Sequence, residues 1–378
     1  MLTDAEARRH FVTRKQIEAA RKEIASDGYE MSVGEIINLY RDNELIIHPA
    51  YQRLFRWSSS KKTRFIESLL LGIPIPPIFV FQTEKGLWEL IDGLQRLSTI
   101  FEFVGILKSR DGDGTKVEPA TLEGTKFLPD LNDKAWKAGH GTEGIGNSAQ
   151  LYIKRSRIRV EILKKESDPS AKYELFQRLN TGGAVLTEQE VRNCTALMIN
   201  PKFHEWLVGL SQHPAFAKTT AQTEEALRKQ TGVELALRFL AFRNVPYTSG
   251  LDVHEYLDEA LIKMAGDSNF PSKTEEKVFQ RTFNLLEAAL GSDAFKRWDG
   301  KEFTGKFLMS LFEVTATGTS QNLNAIEKLG SNKTEKFITQ RSKDLWSNPI
   351  FDKNSGAGIR GTTRLTNLLP MAKDFFKP

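Results

Sequence analysis

Apolar residues recur at helical spacing in some stretches and at alternate positions in others, and these changes of period divide the first half of the chain into elements. "SVGEIINLYRDNELIIHP" reads as a helix from Ser32, whose hydroxyl can cap it, followed by a short strand ending at Pro49. "SSSKKTRFIESLLLGIPIPP" predicts a serine-capped helix with Phe65, Ile66, Leu69 and Leu70 on one face and Gly72 with Pro74 as its stop. In "IFVFQTEKGLWELI" two apolar strands flank a turn at Lys85 and Gly86, which predicts a β-hairpin. From Leu97 onward Ile100, Phe101, Val104 and Leu107 return to helical spacing, so "DGLQR" sits at a strand-to-helix junction.

The remaining patterns are more varied. Residues 3 to 27 favour an exposed helical arm. In "YQRLFRW" extended geometry puts Tyr51, Arg53, Phe55 and Trp57 on one face. Residues 109 to 150 are rich in Gly, Asp and Lys and read as an elaborated, partly mobile excursion. "IKRSRIRVEIL" alternates, which predicts a strand with Arg155, Arg157 and Arg159 on one side and Ile158, Val160 and Ile162 on the other. "KYELFQRLNTGGAVLTEQEVRN" predicts a helix broken at Asn180, a glycine turn, and a helix opened by a capping box of Thr187 and Glu190. Helical periods dominate thereafter. The division expected is a helical arm over 1–30, an α/β (α+β) domain over 31–186 and an α-helical domain over 187–378.

Composition narrows the class of protein. A chain of 378 residues can bury two cores, and 40% hydrophobic with 27% charged residues is ordinary for a globular protein. A net charge of +5 and a pI near 9.0 permit a polyanionic partner without requiring one. The single cysteine, Cys194, excludes an intrachain disulfide or thiolate cluster and reads as a small buried hydrophobe. No run of about 18 apolar residues occurs, so a soluble, cytoplasmic protein without a membrane partner is expected.

The junction carries the chemistry. Asp92, Gly93, Gln95 and Arg96 place a carboxylate, a permissive backbone, an amide and a guanidinium at a helix entrance. There the backbone N–H groups attract anions, and Arg96 offers a planar fork to phosphate oxygens. Asp92 can hold Mg²⁺ or orient a water, and Gln95 can position that water. The plainer reading makes Asp92 a helix cap and Arg96 the partner of a surface acid. Arg53 and Arg56 with Phe55 and Trp57 suit a nucleotide, although the aromatics serve equally as core. The arginines at 155, 157 and 159 either bind nucleic-acid phosphates or form a solvated face. "GAGIRG" at 356–361 has dinucleotide-loop spacing but no strand before it. No Walker loop, metalloprotease helix or serine elbow is present, and no histidine follows His254, so the C-terminal part lacks a histidine-metal nuclease motif.

The ordered set "YQRLFRW", "GIPIPPIFV", "IDGLQRLSTI" and "FQRLNTGGAVLT" resembles the domain at the front of GmrSD-type modification-dependent restriction enzymes, over roughly residues 30 to 200. That resemblance implies a domain similar to the ParB and sulfiredoxin fold, which binds nucleoside triphosphates at its DGQQR box and couples their hydrolysis to DNA restriction in phage defence. The box falls on Asp92, Gly93, Gln95 and Arg96, with Leu94 replacing its first glutamine. The YQR..W box falls on Tyr51, Gln52, Arg53 and Trp57, and the N..G box on Asn180 and Gly183. The resemblance implies Mg²⁺, a nucleoside triphosphate as substrate or ligand, and a separate nuclease or defence subunit, with DNA as a further partner. Asp92, Gln95 and Arg96 are then the catalytic residues and Asp92 the metal ligand. The alternative is a non-enzymatic DNA- or protein-binding module that keeps the fold, and a third reading is a cryptic nuclease using Asp92 and Glu67 with a metal.

Overall fold

The computed structural model describes residues 26–47, 57–109, 115–139, 141–164, 187–356 and 358–378, with 172–173, 175–176 and 178–179 between them. Two compact units divide the chain, Met1–Gly183 and Ala184–Pro378.

The first unit is built on a five-stranded mixed sheet of order β1-β5-β3-β4-β2. Its strands are β1 (Ser26–Ser32), β2 (Leu45–Ile46), β3 (Ile78–Gln82), β4 (Trp88–Asp92) and β5 (Arg157–Leu163). The helices are α1 (Val33–Arg41), α2 (Ser59–Leu71), α3 (Leu94–Val104) and α4 (Gly146–Arg155). β3 runs parallel to β5 and antiparallel to β4, and β2 joins β4 in parallel.

Local signals set these elements. The Ser32 hydroxyl accepts the Glu35 N–H at 3.2 Å and Ser58 accepts that of Lys61 at 3.4 Å, so both expected caps form. Gly72 closes α2 in the left-handed conformation, with φ 69°. The core gathers Ile36 and Ile37 of α1, Ile66 and Leu69 of α2, Val80, Leu90, Val160, and Leu97, Ile100 and Phe101 of α3. Tyr40 stacks on Phe101 at 4.0 Å between ring centres.

Two expectations are corrected. Residues 26–30, assigned to a helical arm, belong to β1, where alternate pairing with β5 supplies the backbone partners that a helix would have found within itself. Arg155 ends α4 instead of sharing a strand face with Arg157 and Arg159. Ser156 closes that helix, its hydroxyl donating to the carbonyls of Tyr152 and Leu69, and the strand starts one residue later. Within the Gly-rich excursion, Leu122, Leu131 and Trp136 are buried, and Trp136 meets Phe103 edge-on at 5.7 Å.

Among its described residues the second unit is helical apart from a two-stranded ribbon of Arg297–Trp298 and Phe303–Thr304. Five of its helices matter below: α5 (Glu188–Ile199), α6 (Thr231–Asn244), α7 (Val253–Gly266), α8 (Ser272–Leu290) and α9 (Gly361–Phe375). The expected capping box at Thr187 and Glu190 is complete in both directions. Phe216, Phe239, Phe279, Phe283 and Phe312 form a fully buried aromatic core. Cys194 is buried, and burial pushes its thiol well above the ordinary cysteine range.

A line of buried charge crosses this helical core. Arg192 of α5, wholly enclosed, donates to Asp258 at 2.8 Å and to Gln189 at 3.1 Å, with Glu234 at 3.5 Å. Arg238 links Glu234, at 2.8 Å, to Glu313, which has no solvent exposure and also receives Arg364 at 2.5 and 3.0 Å. Glu313 sits, fully buried, on a π-helical turn, Phe312–Ala316. Arg364, three residues beyond the "GAGIRG" stretch, therefore serves the helical core. Arg360 is the residue that precedes α9.

Candidate functional site

The junction between β4 and α3 is shaped by a bulge and a glycine. Phe79 pairs with Asp92 but Val80 pairs with Leu90, so Ile91 is an extra residue on β4. Such an insertion bends a strand and redirects the side chains that follow it. Gly93 then turns the chain with φ 109°, a region that costs an L-residue strain, and a Cβ there would lie 2.5 Å from Cγ2 of Ile78. Only hydrogen fits beneath β3, so the glycine of the DG dipeptide is dictated by packing.

Arg96 lies one helical turn beyond Asp92. Its Nη2 donates to the Asp92 carboxylate at 2.6 Å, and its Nη1 donates to the carbonyls of Pro76 and Pro77 at 2.7 and 3.1 Å. The pair is partly open to solvent, with side-chain exposures of 13% for Arg96 and 31% for Asp92. Gly93 offers no side chain to the first turn of α3, whose N–H groups carry no side-chain cap. The expectation that Asp92 caps the helix is thus corrected: its carboxylate turns to the guanidinium. Arg96 likewise pairs with its own box residue rather than with a separate surface acid.

Gln95 ties the junction to the neighbouring box. Its Oε1 accepts the backbone N–H of Trp57 at 3.2 Å, and the Trp57 ring packs edge-on against Phe65 at 5.6 Å between centres. Asp92, Gly93, Gln95, Arg96 and Trp57 are thereby brought together, with Leu94 half-buried at the start of α3. Tyr51, Gln52, Arg53, Arg56, Asn180 and Gly183 lie outside the described residues.

Several partners were not assigned from sequence. The Pro76 and Pro77 carbonyls hold Arg96, and the only signal was "GIPIPP", a run with few backbone donors and therefore spare acceptors. Lys172, buried, pairs with Glu89 of β4 and lies 5.0 Å from the centre of the Phe81 ring. Burial, with the nearby Glu89 carboxylate, raises the Tyr173 phenol above its usual value.

Other candidates disperse. Arg157 and Arg159 are exposed on β5, but Arg159 bonds Glu161 at 2.6 Å and stands opposite Glu30 of β1. The strand face is therefore of mixed charge. Glu67 is buried and receives the Thr125 hydroxyl, so it and Asp92 are taken up by different partners. Among the described residues no group of three or more His, Cys, Asp or Glu side chains is gathered to hold a metal. A magnesium ion carried by nucleotide phosphates needs only one or two protein carboxylates, and the carboxylate present at this junction is that of Asp92, paired with Arg96. No described helix is long and apolar enough to cross a membrane.

Residues 33–197 match the family model described as the GmrSD restriction endonuclease, N-terminal domain. This span agrees with the ordered boxes and takes in the whole β4–α3 junction. No curated protein matches the chain.

Proposed function

We propose, from the match of residues 33–197 to a restriction-endonuclease N-terminal domain, that the first unit is the nucleoside-triphosphate-binding module of a DNA-restriction, phage-defence system. The observation that carries this reading is the convergence of Asp92 and Arg96, 2.6 Å apart and partly exposed, at the uncapped amide end of α3. The amides and the guanidinium supply positive potential to an incoming phosphate. The two proline carbonyls keep Arg96 in place when its contact with Asp92 is exchanged for phosphate oxygens.

In the hydrolytic form of the proposal, Arg96 and Arg53 neutralise phosphate charge, while Gln95 and Asn180 orient oxygens. Asp92 holds the magnesium ion that accompanies the nucleotide and organises water. The ion, when bound, draws charge from the phosphate oxygens. DNA and a separate nuclease subunit are the partners this role calls for. Loss of one transition-state donor lowers turnover about 10²- to 10³-fold. The test is a binding and hydrolysis screen of the four nucleoside triphosphates, with and without Mg²⁺, on the wild-type chain and on Asp92→Asn. Magnesium-dependent binding that is lost in Asp92→Asn supports the proposal; equal binding by both proteins rejects the role of Asp92.

A second reading rests on the same ion pair. Asp92 and Arg96 satisfy one another, and Leu94 stands where the resemblance calls for glutamine, which suits a module that keeps the fold for DNA or protein binding without hydrolysis. Salt-sensitive DNA binding with no nucleotide affinity is its signature.

A further inference from the structure

The second unit contains a pocket of about 510 Å³ at the C-terminal end of α6, within the range of small-molecule sites. We propose that it binds a free small organic cation, an alkylammonium or alkylguanidinium. The walls are aromatic. Phe242 and Tyr256 lie nearly parallel, 6.0 Å between centres and 7° apart, and Tyr247 stands at 90° to Tyr256 at 5.1 Å. Faces of this kind attract cations.

The polar side chains around these rings are engaged with the protein itself: the Ser249 and Thr366 hydroxyls, which also line the pocket, bond to each other at 3.3 Å. The Tyr247 hydroxyl donates to the Leu251 carbonyl and that of Tyr256 to the Val245 carbonyl, each at 2.7 Å. The Asn244 amide donates to Leu240 at 2.9 Å. Arg243 is held by both oxygens of Glu275, at 2.8 and 3.1 Å, and by the Ser320 carbonyl at 3.3 Å, so its charge is already balanced. Burial raises both phenols above their usual values, which keeps them neutral.

Backbone acceptors, by contrast, are in surplus. The last helical bond of α6 is that of Val245 to Ala241, which leaves the carbonyls of Phe242, Arg243 and Asn244 beyond the helical ladder. Pro246, next in the lining, has no N–H to offer. Across the pocket Pro370 interrupts α9 and cannot donate to the Thr366 carbonyl, the acceptor that helical geometry presents to it. The negative end of the α6 dipole adds to the same field. An anion would meet carbonyl oxygens beyond the helical ladder here, whereas an ammonium or guanidinium can donate to them and lie against the rings. This site is separate from the β4–α3 junction, and neither proposal depends on the other.

The test is calorimetric titration of the full-length chain with agmatine, a butyl chain with a cation at each end, and with 1-butanol as an uncharged compound carrying the same four-carbon chain. Agmatine is expected to bind and butanol to give no saturable heat. Tyr247→Leu should weaken agmatine about two- to thirtyfold, the range of a cation–aromatic contact. Pro370→Ala, which returns an N–H to Thr366 and so strengthens α9, should also weaken it, and it decides the matter if the tyrosine variant fails to fold. Absence of agmatine binding at millimolar concentration, equal binding of butanol, or an unchanged affinity in folded Pro370→Ala would overturn the proposal.

Discussion

At the scale of single residues, the junction is over-determined. Gly93 carries a positive φ and touches Ile78, so Gly93→Ala adds both backbone strain and overlap with β3. We expect it to cost about 1–3 kcal/mol from the backbone alone, with more from the contact, read as a fall in the urea midpoint at unchanged slope. A midpoint equal to wild type would show that the turn relaxes freely. The DG dipeptide was legible in the sequence as a junction, and so were the residues that meet there. Their partnerships were not, because a four-residue spacing allows Arg96 to reach Asp92 without revealing that Pro76 and Pro77, some twenty residues earlier, hold the other side of the guanidinium. Contacts between β3 and α3 depend on strand order, which no local period encodes.

At the scale of elements, boundaries marked by capping chemistry were readable and boundaries marked by packing were not. Ser32, Ser58, Thr187 and Glu190 act where side-chain chemistry places them, and Gly72 where its left-handed backbone does. The α4–β5 boundary was misplaced because "IKRS" satisfies alternation and helical spacing alike, and the contact of the Ser156 hydroxyl with Leu69 settles it. The first strand was missed because its partner, β5, is more than 120 residues away in sequence. The π-helical turn in the second unit had no signal, since Glu313 looks like any helical glutamate until two arginines are seen to converge on it. Glu313→Gln removes the buried negative charge that Arg238 and Arg364 share. It should destabilise the second unit by about 3–5 kcal/mol, measured by chemical denaturation, while Glu313→Asp keeps the charge and loses less. A cost below about 1 kcal/mol for the glutamine variant would show that solvent reaches the arginines.

At the scale of the whole molecule, the α/β sheet followed by a helical unit matches the fold class that periodicity indicates, and charge distribution governs how stability varies with pH. Burial outweighs Arg192 at Asp258 and pushes that carboxyl up to about 6. At Glu234 burial also acts upward, but Arg238 and Arg192 together prevail and hold the carboxylate below its usual range. The folded state therefore keeps the Asp258 proton more tightly than the unfolded chain does. Its contribution to stability is largest at low pH and declines as pH rises from about 4 to about 6. Glu234 contributes in the opposite sense, with stability present above its unfolded pKa and lost as pH falls through the folded one. Urea unfolding of wild type and Asp258→Asn across this window should show the wild-type advantage shrinking as pH rises; parallel curves would remove the carboxyl from the account.

The central claim is that Arg96, anchored on the Pro76 and Pro77 carbonyls beside Asp92, receives the phosphates of a nucleotide. Equilibrium titration of the wild-type chain and a folded Arg96→Ala variant with each nucleoside triphosphate in Mg²⁺ tests it most directly. Saturable binding of at least one triphosphate by wild type, weakened about ten- to a hundredfold in the variant, is predicted from the loss of charged hydrogen bonds. Equal affinity in the two proteins, or no binding of any of the four by folded wild type, would contradict it.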